Sequence, residues 1–163
     1  MPLPNPFYPL LLQELRDFYD AKQQAAQAYP HLEEAAADSA LASLFDQHTH
    51  LTTEHLTRLE AVFSHLNAPT KQSACEAMRG IVQRAYAYIS SLRPGPIRDG
   101  ALVVTARKVE YYEIACAGML SALAFQLDDS APAQDFQTIL IEDEIAKNDL
   151  MALAEGMSKF PQR

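Results

Sequence analysis

Apolar residues recur every three or four positions along almost the whole chain, a period that predicts helices rather than strands. Leu41, Leu44, His48, Leu51, His55, Leu59, Val62 and Leu66 form one such stripe. A second runs through Leu102, Ala106, Glu110, Glu113, Ala117, Leu120, Ala124 and Leu127. Each stripe is apolar except near its middle, where two histidines interrupt the first and two glutamates the second. Lys22 and Asp143 stand at comparable depth in two further helical stripes. Polar groups on faces that should be apolar are the main signal of this chain.

The breaks between stripes set the elements. A first helix is expected from about Pro6 to Ala37, turning Tyr8, Leu11, Leu15, Tyr19, Lys22, Ala26 and Tyr29 inward and bending at Pro30. Asp38 or Ser39 is a suitable N-cap for a second helix that ends near Leu66, before Asn67-Ala68-Pro69. A shorter amphipathic helix spans about Ser73 to Leu92, through Met78, Val82, Ala85 and Ile89. Arg93-Pro94-Gly95-Pro96 is the clearest break in the chain. A fourth helix reaches about Leu127. A fifth, after Asp128-Asp129-Ser130-Ala131-Pro132, buries Phe136, Leu140, Asp143, Leu150, Leu153 and Met157. The expectation is an all-α fold, a ferritin-like four-helix bundle with an extra short helix between the two helix pairs. Residues 1–163 form one domain, with 1–6 and 158–163 as loose tails.

Composition narrows the function. The chain has 163 residues, enough for one sizeable core, and its 48% hydrophobic and 21% charged residues are ordinary for a globular protein. A formal net charge of -8 argues against nucleic acid and anionic membranes as partners. No apolar run approaches the roughly 20 residues of a membrane span, and the proline-dotted N-terminus has no signal-peptide pattern, so a cytoplasmic protein is expected. Cys75 and Cys116 lie in apolar helical surroundings without Cys-x-x-Cys spacing, which reads as two buried free thiols. There is no Gly-rich phosphate loop and no nucleophile elbow.

Candidate chemistry follows from the polar positions. A carboxylate metal pair needs hard oxygen ligands and one or two imidazoles on inward helix faces. The residues available for it are His48, His55, Glu110, Glu113, Glu142 and Asp143. His50 and Glu54 fall on another face and read as a solvated pair. Isolated buried charges are strongly disfavoured unless paired, so these groups are expected to cluster. Lys22 complicates a metal site, because its ammonium supplies the positive charge that a metal would supply and repels a second cation. It is expected to stand in for the metal, with Tyr19 and Tyr111 beside the cluster.

Several ordered blocks resemble the YciE/YciF group of bacterial ferritin-like, stress-associated proteins, over roughly Leu10 to Ala154. They are Tyr19-Asp20-Ala21-Lys22-Gln23, Arg58-Leu59-Glu60-Ala61-Val62-Phe63, Cys75-Glu76-Ala77-Met78-Arg79-Gly80, Arg98-Asp99-Gly100-Ala101-Leu102 and Lys108-Val109-Glu110-Tyr111-Tyr112-Glu113. The departures gather at the group's acidic positions. Lys22 replaces a first-helix Glu, His48-Thr49-His50-Leu51-Thr52 lacks two Glu, Gln83-Arg84 replaces Glu-Glu, Tyr111 replaces a His and Lys147 an Asp. The resemblance implies metal ligands only at Glu110, Glu113 and Glu142 or Asp143. It also implies a homodimer, which outward apolar positions at Phe18, Phe63, Ile141 and Ile145 would serve.

Two readings follow. In the first, a ferritin-like bundle has largely lost its dinuclear carboxylate centre, needs no cofactor, and acts as a stress-associated structural or binding protein with an unidentified protein partner. In the second, a remodelled metalloprotein holds one Fe, Mn or Zn ion, or two, and works as a metal-dependent oxidoreductase on oxygen or peroxide. The residues favour a non-enzyme.

Overall fold

The structure, a computed structural model, describes residues 5–70 and 73–157. It contains α1 (Phe7–Ala35), α2 (Ser39–His65), α3 (Glu76–Ser91), α4 (Pro96–Gln126) and α5 (Ser130–Met157), with no strand among the described residues. Each long helix packs on two others: α1 on α2, α4 on α5, α1 on α4 and α2 on α5. These four contacts close a square bundle, and α3 lies outside it against α1 and α4. The architecture is the ferritin-like four-helix bundle with an extra short helix that the periodicity predicted. Of the expected loose tails, residues 1–4 and 158–163 lie outside the described residues. Asn5, by contrast, caps α1 by accepting from Phe7 N at 3.0 Å.

Local chemistry explains the helix ends. The Asp38 carboxylate accepts from Ala40 N and Leu41 N at 2.8 and 3.0 Å, satisfying two of the donors that a helix start leaves over. Pro96 opens α4, where its missing N–H costs nothing. Gly95 before it has φ 141, a conformation that strains any side chain. Asp99, 2% exposed, accepts from Ala37 N and Asp38 N at 2.8 and 2.9 Å, and Arg98 donates to the Ala35 carbonyl. The start of α4 therefore ties down the α1–α2 turn. Pro30 is exposed and α1 runs through it as one helix.

Two apolar clusters fill the bundle. One includes Leu11, Leu15, Phe18, Leu59, Phe63, Ala117, Leu120 and Phe136. The other includes Tyr29, Leu32, Leu41, Phe45, Met78, Leu102, Ala106 and Leu150. Between them lies a buried polar layer drawn from α1, α2, α4 and α5. Some expected positions moved. Phe18 and Phe63 are not outward but buried in that first cluster, whereas Ile141 and Ile145 are exposed as expected. Tyr8 is exposed and its hydroxyl donates to the Leu66 carbonyl at 3.0 Å. Ile139 rather than Leu140 is fully buried, and Ala25 and Ala28 rather than Ala26 face the core. Among the described residues no helix is long and apolar enough to cross a membrane.

Candidate functional site

Lys22 stands at the centre of the polar layer. The three protons of its ammonium face three side chains: Glu113 Oε2 at 2.9 Å, Asp143 at 2.8 and 3.0 Å through its two oxygens, and His55 Nδ1 at 3.0 Å. With no exposed surface, the lysine has these contacts in place of water. Burial works against its charge, but the fields of Asp143, Glu113 and Glu110 outweigh it and raise the ammonium above the usual lysine range. The pairing α1–α4–α5 is thereby closed by one cation, since Glu113 sits on α4 and Asp143 on α5.

His55 extends the network outward. Because Lys22 donates to Nδ1, the proton of the neutral ring belongs on Nε2, which lies 2.9 Å from Glu142 Oε2. Burial, then the charges of Lys22 and Arg58, push this imidazole down to about 2, so it stays neutral across the physiological range. Glu142 is partly exposed and forms the outer end of the chain. Asp143 is pushed up to about 6 by burial against the pull of Lys22, and Glu113 is raised well above the carboxylate range for the same reason. One ammonium does not fully compensate the acidic groups gathered around it.

The other part of the layer is differently furnished. Tyr29 donates to Glu110 Oε1 at 2.6 Å, and burial followed by the field of Glu110 raises its hydroxyl well above the usual tyrosine range. His48 Nδ1 approaches the same Glu110 oxygen at 2.9 Å without the alignment of a hydrogen bond. His48 Nε2, Glu110 Oε2 and Glu113 Oε1 are buried and meet no partner. Glu110, Glu113 and Asp143 each present an oxygen within 4.8 Å of the others. A groove of about 200 Å³ between α2 and α5 is lined by His48 and Glu142 and bordered by Gln47 and Asp149.

The structure thus brings together Lys22, His48, His55, Glu110, Glu113 and Asp143 on the faces the stripes assigned, with Glu142 at the rim. It does not bring the two expected tyrosines. Tyr19 is only partly buried and donates to Glu60 Oε1 at 2.7 Å, with its hydroxyl raised to about 12 by burial and that glutamate. Tyr111 is exposed on the outside of α4 beneath the cations of Arg107 and Lys147. Tyr29 enters instead, and its place seven residues after Lys22, two turns along the same face, was the available signal. His50 pairs with Asp46, the residue one turn earlier, rather than with Glu54.

A second polar cluster sits on the α3 side of α4. Tyr112 donates to Asp17 Oδ2 at 2.8 Å, and the Cys75 thiol lies 3.0 Å from the same hydroxyl. Both thiols are free. Cys75 is buried as expected, but Cys116 is only half-buried. Burial raises both, Cys116 to about 12, so neither is an activated nucleophile.

Comparison with known proteins agrees with this architecture. Protein YciF of Escherichia coli strain K12 is 34% identical over 141 residues, which is 86% of this chain and 85% of that protein. The crystal structure of the E. coli stress protein YciF superposes with a TM-score of 0.92 at 30% identity, covering 97% of this chain and all of that one. YcfI of Rhodopseudomonas palustris, described as a candidate structural protein, gives 0.86 at 31% identity over 90% of this chain and 94% of its own. The sequence model of the domain of unknown function DUF892 matches residues 8–160, and the chain belongs to that family, of which it is a YciF-like member.

Proposed function

We propose that this protein is a stress-associated structural or binding protein in which Lys22 takes the place of one ion of a dinuclear carboxylate centre. The observation that carries the reading is the Lys22 ammonium, bonded by Glu113, Asp143 and His55 in the middle of the core. Two metal ions in that layer would have to share it with a buried cation, and like charges at such range repel strongly where water is excluded. A cation already fixed among these donors suits a rigid core rather than redox turnover. The printed descriptions of the relatives, a stress protein and a candidate structural protein, lean the same way. Exposed Met119, Phe125, Ile141 and Ile145 favour an associating surface, consistent with a homodimer or a protein partner in the cytoplasm.

The test compares the wild type with Lys22→Glu after loading with Fe(II). Wild-type chain is expected to bind fewer than two equivalents and to leave the consumption of oxygen and peroxide by Fe(II) unaccelerated. Lys22→Glu, which restores an acidic group at that position, is expected to take up more iron. Two equivalents in the wild type with accelerated peroxide consumption would overturn the proposal in favour of a metal-dependent oxidoreductase.

A further inference from the structure

Helix α4 is apolar on both of its sides. The inward face is buried in the bundle through residues such as Leu102, Ala106, Ala117 and Leu120. On the outward face Val104, Lys108, Tyr111, Ala115, Met119 and Phe125 recur at helical spacing and fall along one line. All six are exposed, and the four large apolar side chains among them are 48–58% exposed. A helix that is apolar all round is ordinarily buried all round, and a long apolar row left in water marks an interface. The charges near this row are mostly of one sign. From Ala77 to Leu127 the chain carries six cations, Arg79, Arg84, Arg93, Arg98, Arg107 and Lys108, and three acids. The acids Asp99, Glu110 and Glu113 are all buried, whereas every one of the cations is exposed or half-buried. Arg79 is paired with Glu76 at the start of α3. Arg107 and, from α5, Lys147 stand over the exposed Tyr111 ring at 5.9 and 5.5 Å. A chain of net charge -8 thus turns a cationic surface outward along α3 and α4.

We infer that the outward face of α4 docks an amphipathic helix of a partner protein, one whose apolar stripe is flanked by Asp and Glu. The apolar row takes the stripe, as in other helix-in-groove recognition, and Arg107, Lys108 and Lys147 take the acids. From Val104 to Phe125 the row is about 32 Å long at the rise of an α-helix, so the partner helix has about six turns. A nucleic acid would meet the cations but leave Val104, Met119 and Phe125 uncovered. A second copy is disfavoured by charge, because a two-fold pairing sets this face against itself, and between Ala77 and Leu127 it has no exposed acid to offer. The inference rests on the reading of the chain as a binding protein and names the class of its partner.

The test uses the full chain and a fluorescein-labelled designed peptide of about six turns, with Leu at its a and d positions and Glu at e and g. Fluorescence anisotropy is expected to show saturable binding of one peptide per chain that weakens as NaCl is added. The same peptide with Lys at e and g should bind at least roughly tenfold more weakly, since like charges are then juxtaposed. Met119→Glu and Lys108→Glu change exposed positions, so both variants should keep the wild-type circular dichroism. Each should weaken the Glu peptide by roughly tenfold. Ile141→Glu, on the exposed side of α5, should leave binding unchanged. Absence of saturable binding, equal binding of the Lys peptide, or binding that survives both α4 substitutions overturns the inference. So does a dimer in sedimentation equilibrium that Met119→Glu dissociates, which would give the face to a second copy. Saturable binding of a thymidine 20-mer that Lys108→Glu abolishes would give it to nucleic acid. Iron uptake and peroxide consumption are measured without peptide, so failure of the structural reading is registered separately from failure at this face.

Discussion

The two halves of the polar layer differ in how their hydrogen bonds close. Around Lys22 every donor has an acceptor: the ammonium meets Glu113, Asp143 and His55, and the far side of His55 meets Glu142. Around Glu110 the inventory does not close: Tyr29 satisfies one oxygen, while the other oxygen and His48 Nε2 are stranded. The two regions share α4, and Glu113 belongs to both, with one oxygen on Lys22 and the other unpartnered. A closed network contributes to the fold and resists change. An open one leaves buried polar atoms unsatisfied and costs stability.

Breaking the closed half should have the largest effect. Lys22→Met strands Glu113 and Asp143 in the core and is expected to cost about 3–5 kcal/mol in urea unfolding. Combining it with Glu113→Gln and Asp143→Asn should recover much of that loss. If Lys22→Met alone is neutral, the ammonium does not hold the layer together.

The closed half also makes stability depend on pH through His55. Its folded value, about 2, lies below the ordinary imidazole value, so below pH 6.5 the unfolded chain binds a proton that the folded chain refuses. The stability contributed by the neutral ring is present above pH 6.5 and is lost as pH falls towards 2. Asp143, raised to about 6, works in the opposite sense between its ordinary value and 6. Comparison of the wild type with His55→Gln isolates the first contribution: the advantage of the wild type should shrink by about 2 kcal/mol between pH 7 and pH 5. A constant difference would mean that the ring is protonated in the folded core.

Smaller effects are expected in the open half. Tyr29→Phe removes the one donor to Glu110 and should cost about 1.5 kcal/mol in thermal or urea unfolding. His48→Leu replaces a ring with no aligned hydrogen bond by an apolar side chain of similar size. Its effect should stay within about 1 kcal/mol or be stabilising. A large loss from His48→Leu would show that the open half is structural after all and would remove the contrast between the two.

Much of the layer was legible from spacing. His48 and His55 on α2, and Glu110 and Glu113 on α4, interrupt apolar stripes, and the middle of a stripe that faces a bundle core is buried with its neighbours. Helix ends were legible where a residue carries its own local chemistry, as at Asp38, Pro96 and Gly95. Tyrosines were harder to place. Tyr111 and Tyr112 are adjacent on α4, so they face different directions, one towards solvent and one towards Asp17 and Cys75. Tyr19 failed for a related reason: at the edge of a buried face, a long side chain bonds whichever neighbour its rim offers, here Glu60 on α2.

What the sequence by itself determined is the set of helices, the bundle and the depth of its polar residues, because period and capping are local properties of the chain. Only the tertiary structure decided who pairs with whom. Lys22 meets Glu113 and Asp143 across 91 and 121 positions of chain, and Tyr29 rather than Tyr19 or Tyr111 reaches the layer. Such pairings depend on the rotation and offset of four packed helices, which periodicity along a single helix does not specify. The division of the layer into a closed and an open half exists only once those helices are brought together.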